Sequence, residues 1–151
     1  MKLITSNNNQ KLFLEKLIRD IKLARYSKKN HFSTVVGRSK FIVWGYGEAY
    51  NAFDRSVLQV VNRKPFFLMD KKVVNKKNYL SKENFIKWEI SKKNNFVYIV
   101  CTGYEKNFKK IKNKLLRFGV KREKIVWVVK IYEFNIHTFE KKFSNNIGFI
   151  S

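Results

Sequence analysis

The sequence predicts an α/β fold: a small parallel sheet of about four strands, in the order 2-1-3-4, with flanking helices. Three observations carry this. The apolar runs at 41–44, 66–69, 96–101 and 125–129 are continuous rather than alternating, which is the pattern of strands buried on both faces of a parallel sheet. Stretches of helical spacing separate them, and strand–helix alternation calls for parallel strands joined by right-handed crossovers. The first run also passes straight into Gly45-Tyr46-Gly47, a turn suited to a strand that feeds a helix. The order 2-1-3-4 is the simplest small arrangement that meets these demands.

Taken along the chain, Met1 to Gln10 is polar and Asn-rich, without the apolar segment of a signal peptide. Residues 11–26 place Leu14, Leu17, Ile18, Ile21 and Ala24 at helical spacing, with Lys16, Arg19, Asp20 and Lys22 opposite. This amphipathic helix is expected to pack on the sheet or at a dimer interface. Glu15 and Asp20 interrupt its basic face, which disfavours a membrane-surface role. Ser27 to Lys40 is a polar, basic connection in which Thr34-Val35-Val36-Gly37 reads as a short strand or a turn.

The first strand, 41–44, leads to a helix over roughly 48–62, with Ala49, Ala52, Phe53, Val57, Val60 and Val61 on its apolar face. Pro65 ends it, because proline disfavours helix in the residue before it. The second strand is the run from Phe66 to Met69, closed by Asp70. Residues 71–95 are polar and lysine-rich. Val73-Val74 is a candidate short strand there, and Ser81 is placed to cap a helix over 82–91 with Phe85, Trp88 and Ile90 inward. Phe96 to Cys101 is the strongest strand signal. Tyr104, Phe108, Ile111, Leu115 and Phe118 then form the inward stripe of a helix that Gly119 stops, while its outer face is lysine-rich. Ile125 to Val129 is the fourth strand. In the tail, Ile136, Phe139 and Phe143 recur at helical spacing, and Gly148-Phe149-Ile150 is apolar enough to dock on the body or on another subunit. The expectation is one domain over 1–151, with 11–40 as helix and connection, 41–129 as core and 130–151 as extension.

The 151 residues suit one domain with a good core, and the 44% hydrophobic content is ordinary. One cysteine excludes an internal disulfide and fits a reducing compartment. No stretch approaches the roughly 20 apolar residues of a membrane span, so a cytoplasmic protein is the expectation. Charge is the unusual quantity: 33 Lys and Arg against 11 Asp and Glu give +22. An abundance of Lys, Asn, Ile and Phe is what an AT-rich genome favours, but that bias does not explain scarce glutamate. The balance points to anionic surroundings such as nucleic acid, anionic lipid or acidic sugars.

In an open α/β sheet, ligands bind at the carboxyl ends of strands, where the winding direction reverses. For the order 2-1-3-4 that place lies between the first and third strands. Gly45-Tyr46-Gly47 with Glu48 would then face Thr102-Gly103-Tyr104 across one crevice, with Asp70 at its side. Gly45 permits the tight turn, and Gly47 lets a phosphate approach the backbone. Asp70, about 20 residues beyond the glycines, stands where a carboxylate accepts a ribose hydroxyl, and reads equally well as a turn residue or a partner for Lys71. The third glycine of a Gly-x-Gly-x-x-Gly pattern is replaced by Tyr50. Tyr46, Tyr50 and Tyr104 are equally suited to stacking on a base or sugar and to plugging the crevice.

Ile42 to Ala49, Phe67 to Asp70, Tyr98 to Tyr104, and Leu115 to Val120 with Lys124-Ile125-Val126 together resemble a small Rossmann-like domain. The region 41–129 is similar to nucleotide-binding domains found with bacterial surface-polysaccharide enzymes, namely sugar acetyltransferases, glycosyltransferases and methyltransferases. The resemblance implies that Gly45 and Gly47 touch phosphate, that Asp70 meets a ribose or sugar hydroxyl, and that Thr102 with Gly103 forms the opposite wall. It implies NAD(P) or a nucleotide-sugar as ligand. Tyr50 departs from the dinucleotide pattern and weighs against NAD.

Other chemistry is sparse. No Gly-x-x-x-x-Gly-Lys-Ser/Thr loop occurs, and His31 and His137 lack ligand-spaced neighbours, so no metal is expected. Cys101 reads as a small core residue rather than a nucleophile. Glu48 and Tyr46 sit where an acid or base would act, although glutamate at a helix start is common for dipole reasons. Two alternatives to nucleotide binding stand beside it. One is a basic nucleic-acid-binding protein that uses the lysine face of 105–118. The other is a ligand-free structural subunit that oligomerises through its N-terminal helix and tail.

Overall fold

The structure, a computed structural model, describes residues 31–131. The segments 11–26 and 132–151, with the helix and docking tail expected there, lie outside the described residues, as does His137.

Four parallel strands form one sheet in the order β2-β1-β3-β4. They are β1 (Lys40–Trp44), β2 (Phe67–Met69), β3 (Phe96–Val100) and β4 (Ile125–Trp127). The register aligns Trp44 with Met69 on one side and with Val100 on the other, so three strands end level. β3 is buried along its whole length, as its uninterrupted apolar run requires.

Alternate residues of each strand feed two cores, one on each face. On one face Phe41 and Val43 meet Phe32 and Val36 of α1 (His31–Val36), together with Phe53, Val57 and Leu58. These last three belong to α2, a continuous helical segment. It begins as α-helix over Glu48–Phe53, passes through a π-helical stretch, Asp54–Leu58, and closes over Gln59–Val61. On the other face Ile42, Trp44, Tyr98 and Val100 meet Phe85 of α3 (Lys82–Lys87) and Leu115 of α5 (Glu105–Arg117). Between α3 and β3 lies a short helix, α4 (Ile90–Lys93).

Several local expectations differ from the fold. Thr34 to Val36 is helical, within α1. Val73-Val74 is not a strand, and Val73 is 87% exposed. The outer side of β2 is instead covered by Tyr79, which bridges Leu68, and by Leu80 N–H, which donates to the Leu68 carbonyl at 2.8 Å. The helix expected over 82–91 is two helices, because Trp88 and Glu89 are both extended. Ile90 consequently faces largely outward, at 62% exposure. Val60 is also exposed: a π-helical turn carries an extra residue and rotates the following positions off the apolar face. The fourth strand stops at Trp127, and residues 128–131 are helical. Among the described residues, no helix is long and apolar enough to cross a membrane.

The amino ends of β1 and β3 are fixed by polar side chains. Arg63 donates to the carbonyls of Gly37 at 2.7 Å and Ser39 at 2.8 Å, with its guanidinium 5.6 Å from both the Phe32 and Phe41 ring centres. Lys93, only 5% exposed, donates through Nζ to the carbonyls of Ile86 and Phe118 at 3.2 and 3.0 Å. The Lys93 carbonyl in turn accepts from the buried Tyr98 hydroxyl at 2.6 Å.

Candidate functional site

The opposite, carboxyl end of the sheet is hollow. A crevice of about 410 Å³ opens where β1 and β3 end, lined by Gly45, Tyr46, Gly47, Glu48, Ala49, Asp70, Cys101, Thr102, Gly103, Tyr104 and Asn107. All eight residues singled out in the sequence, Gly45 to Glu48, Asp70 and Thr102 to Tyr104, therefore meet at one cavity. The sequence argument missed three lining residues: Cys101, which it read as core, and Asn107 and Ala49, which sit in the first turns of α5 and α2. Their one visible signal was proximity to the two turns.

The two glycines of the β1–α2 turn answer to different constraints. Gly45 has φ of +110°, and a Cβ there would lie 2.6 Å from the Cys101 carbonyl oxygen. The turn and β3 thus approach too closely for any side chain, and the left-handed backbone independently favours glycine. Gly45 N–H donates to the Met69 carbonyl at 2.7 Å, and Cys101 N–H donates to the Trp44 carbonyl at 2.8 Å, which extends both ladders into the turns. Gly47 has extended backbone (φ −149°) and caps α2 without a side-chain hydrogen bond. A Cβ on Gly47 would meet nothing within 4 Å among the described residues.

Asp70 joins the site to β2. One carboxylate oxygen accepts from Tyr46 N–H and the other from Lys72 N–H at 3.1 Å. The carboxylate therefore braces the glycine turn against the end of β2. Each oxygen retains a second lone pair, so a ligand hydroxyl can share it. Opposite, Thr102 Oγ1 accepts from Tyr104 N–H at 3.3 Å, and the Thr102 carbonyl accepts from Trp127 Nε1 at 2.7 Å. Trp127 stacks on Phe108, with ring centres 5.4 Å apart. This wall is held from behind by β4 and α5.

Tyr50, in place of a third glycine, is half-buried, packs on Tyr46 with ring centres 5.3 Å apart, and leans on the core. Burial first, then the charge of Asp54, pushes its phenol up to about 12. Tyr50 is a neutral packing residue at physiological pH. Burial also raises the Cys101 thiol well above its ordinary value. It stays protonated at neutral pH, and a thiol is a poor nucleophile. Among the described residues, no histidine side chain lines the crevice and no group of three His, Cys, Asp or Glu is placed to hold a metal ion.

Fold and site together define a small doubly wound α/β protein with an open crevice at its switch point. The chain matches no protein-family model, no curated protein and no solved structure.

Proposed function

We propose that this protein binds a nucleotide or nucleotide-sugar in the crevice between the Gly45–Glu48 and Thr102–Tyr104 turns. The observation that carries this reading is the contrast between its two glycines. Packing demands Gly45, whereas among the described residues nothing touches the place where a Gly47 side chain would stand. A bare backbone facing open space at the start of a helix is how a chain admits a phosphate. Asp70 supplies an acceptor for a sugar hydroxyl, and Tyr46 and Tyr104 supply ring faces for a base or sugar. A role in surface-polysaccharide or other sugar biosynthesis rests on the sequence resemblance alone.

The test is a thermal-shift screen with NAD, NADP, CoA and UDP-, GDP- and CMP-sugars, on the wild type and on Gly47→Val. A ligand that binds only the native state raises the melting temperature by mass action. One nucleotide class should stabilise the wild type at moderate salt. The same class should leave Gly47→Val unmoved, although that variant loses under about 1 kcal/mol of stability of its own from the poorer helix cap. An equal shift in both proteins would remove the crevice from the binding site. A shift confined to nucleic acid and abolished by salt would favour the basic surface instead.

A further inference from the structure

A second, smaller hollow of about 180 Å³ opens beside the crevice, toward α5. Gly45, Asp70, Thr102 and Asn107 line both, so the two spaces share a wall. The floor of the smaller one is apolar, formed by Trp44 and Ile111, and its rim is cationic, formed by Lys71, Lys110 and Lys114. These three lysines come from two separate elements, the turn after β2 and the helix α5. Lys82 and Arg117 add to the same field, and burial together with these four cations lowers the Lys114 ammonium below its ordinary pKa.

A solvated lysine face spreads its charges apart. Here the chain brings them together over a low-dielectric floor, where like charges repel and the field is focused. Among the described residues the hollow's one carboxylate is Asp70, and both of its oxygens already accept backbone N–H groups. Lys109, by contrast, points to the outer side of α5 and pairs with Glu105 at 3.5 Å. Among the described residues, none of Lys71, Lys110 and Lys114 makes an ion pair with a carboxylate.

We propose that the hollow under Lys71, Lys110 and Lys114 is a phosphate subsite that receives a second phosphoryl group of the molecule held in the crevice. The subsite restricts the ligand to those with more than one phosphoryl group, such as a nucleoside diphosphate or its conjugates, over nucleosides and monophosphates. The inference deepens the crevice reading and rests on it for the ligand's nucleoside part. The subsite itself is tested with a probe that has no nucleoside.

That probe is inorganic pyrophosphate, titrated calorimetrically at moderate salt into three proteins. These are the wild type, Lys71→Gln/Lys110→Gln/Lys114→Gln, and a control that removes three exposed lysines elsewhere, Lys87→Gln/Lys109→Gln/Lys121→Gln. The expected result is saturable binding to the wild type that weakens about tenfold or more in the subsite triple variant. It should change by less than about threefold in the control. Equal losses in the two triple variants would show only the general attraction of a +22 protein and overturn the subsite, as would absence of binding to the wild type. The crevice reading fails separately, if nucleoside diphosphates bind no more tightly than pyrophosphate and ignore Gly47→Val.

Discussion

The two ends of the sheet are built from similar materials and used in opposite ways. At the amino end Arg63, Lys93 and the Tyr98 hydroxyl each find backbone carbonyls. Their hydrogen-bonding capacity is spent on tying loops together, and aromatic rings pack around the cations. At the carboxyl end the polar groups stand around space. Asp70 braces a turn, yet it and the Thr102 wall still line an open crevice. A charge that meets carbonyls on every side is a structural part, whereas charges gathered round a hollow are ready for a partner. The difference was invisible in composition, since cations serve both ends.

Four substitutions and titrations sharpen the contrast. The largest effect belongs to Gly45. Gly45→Ala should cost about 3 kcal/mol or more, because it combines a left-handed backbone with a clash against a main-chain oxygen. Urea unfolding would measure it, and a cost under about 1 kcal/mol would mean that the turn and β3 separate easily. Next comes Lys93→Met, which keeps most of the aliphatic stem but strands two carbonyl acceptors. About 2 kcal/mol should be lost, with ligand affinity at the far end unchanged within twofold. Altered affinity would show that the two ends are coupled.

Asp70→Ala should act on both stability and binding. Losing the brace on Tyr46 N–H costs about 1–2 kcal/mol, and affinity for a ribose-containing ligand should fall about tenfold as the hydroxyl acceptor goes. A stability loss with unaltered affinity would confine Asp70 to the brace. The smallest effect is on pH dependence. Tyr50, Tyr98 and Cys101 all hold their protons more tightly folded than unfolded, because burial disfavours the anion. Their contribution is complete below the ordinary values of 9.0 for the thiol and 10.0 for the phenols. It is lost as pH rises through the folded values, since the unfolded state then binds fewer protons. These three groups should therefore add no slope to the denaturant midpoint well below pH 9 and a decline above it, and Tyr50→Phe should remove part of that decline between about pH 10 and 12. A decline of unchanged slope would assign the effect to the other two groups.

Much of this was legible in the residues. The apolar runs and the glycine turn place β1, and with the crossover rule they give the order β2-β1-β3-β4. That order alone brings residues 45–48 opposite residues 102–104. What escaped depends on single bonds and local phase. Periodicity carries a helix smoothly through 54–58, so it assigns Val60 inward, whereas the π-helical turn rotates it out. It also runs 82–91 together, blind to the break at Trp88 that lets Lys93 turn in beneath α5. Spacing locates Asp70 beside the turn but does not reveal that its oxygens already accept the Tyr46 and Lys72 amides. The lysine-rimmed hollow was likewise hidden, because Lys71 and Lys114 are distant in sequence and become neighbours only through the fold.

The indole of Trp127 gives the crevice an optical consequence. Its N–H is tied to the Thr102 carbonyl, and its ring lies flat against Phe108. The excited state of an indole is sensitive to the bond at its nitrogen and to the polarity around it. Any occupant that pulls on the Thr102–Tyr104 turn will alter the emission of that residue, while Trp88 sits on the α3 side of the core with Phe85 and Phe96 and serves as an internal reference. With Trp44→Phe to remove the third indole, the protein reports on its own cavity by fluorescence, and no dye need be attached.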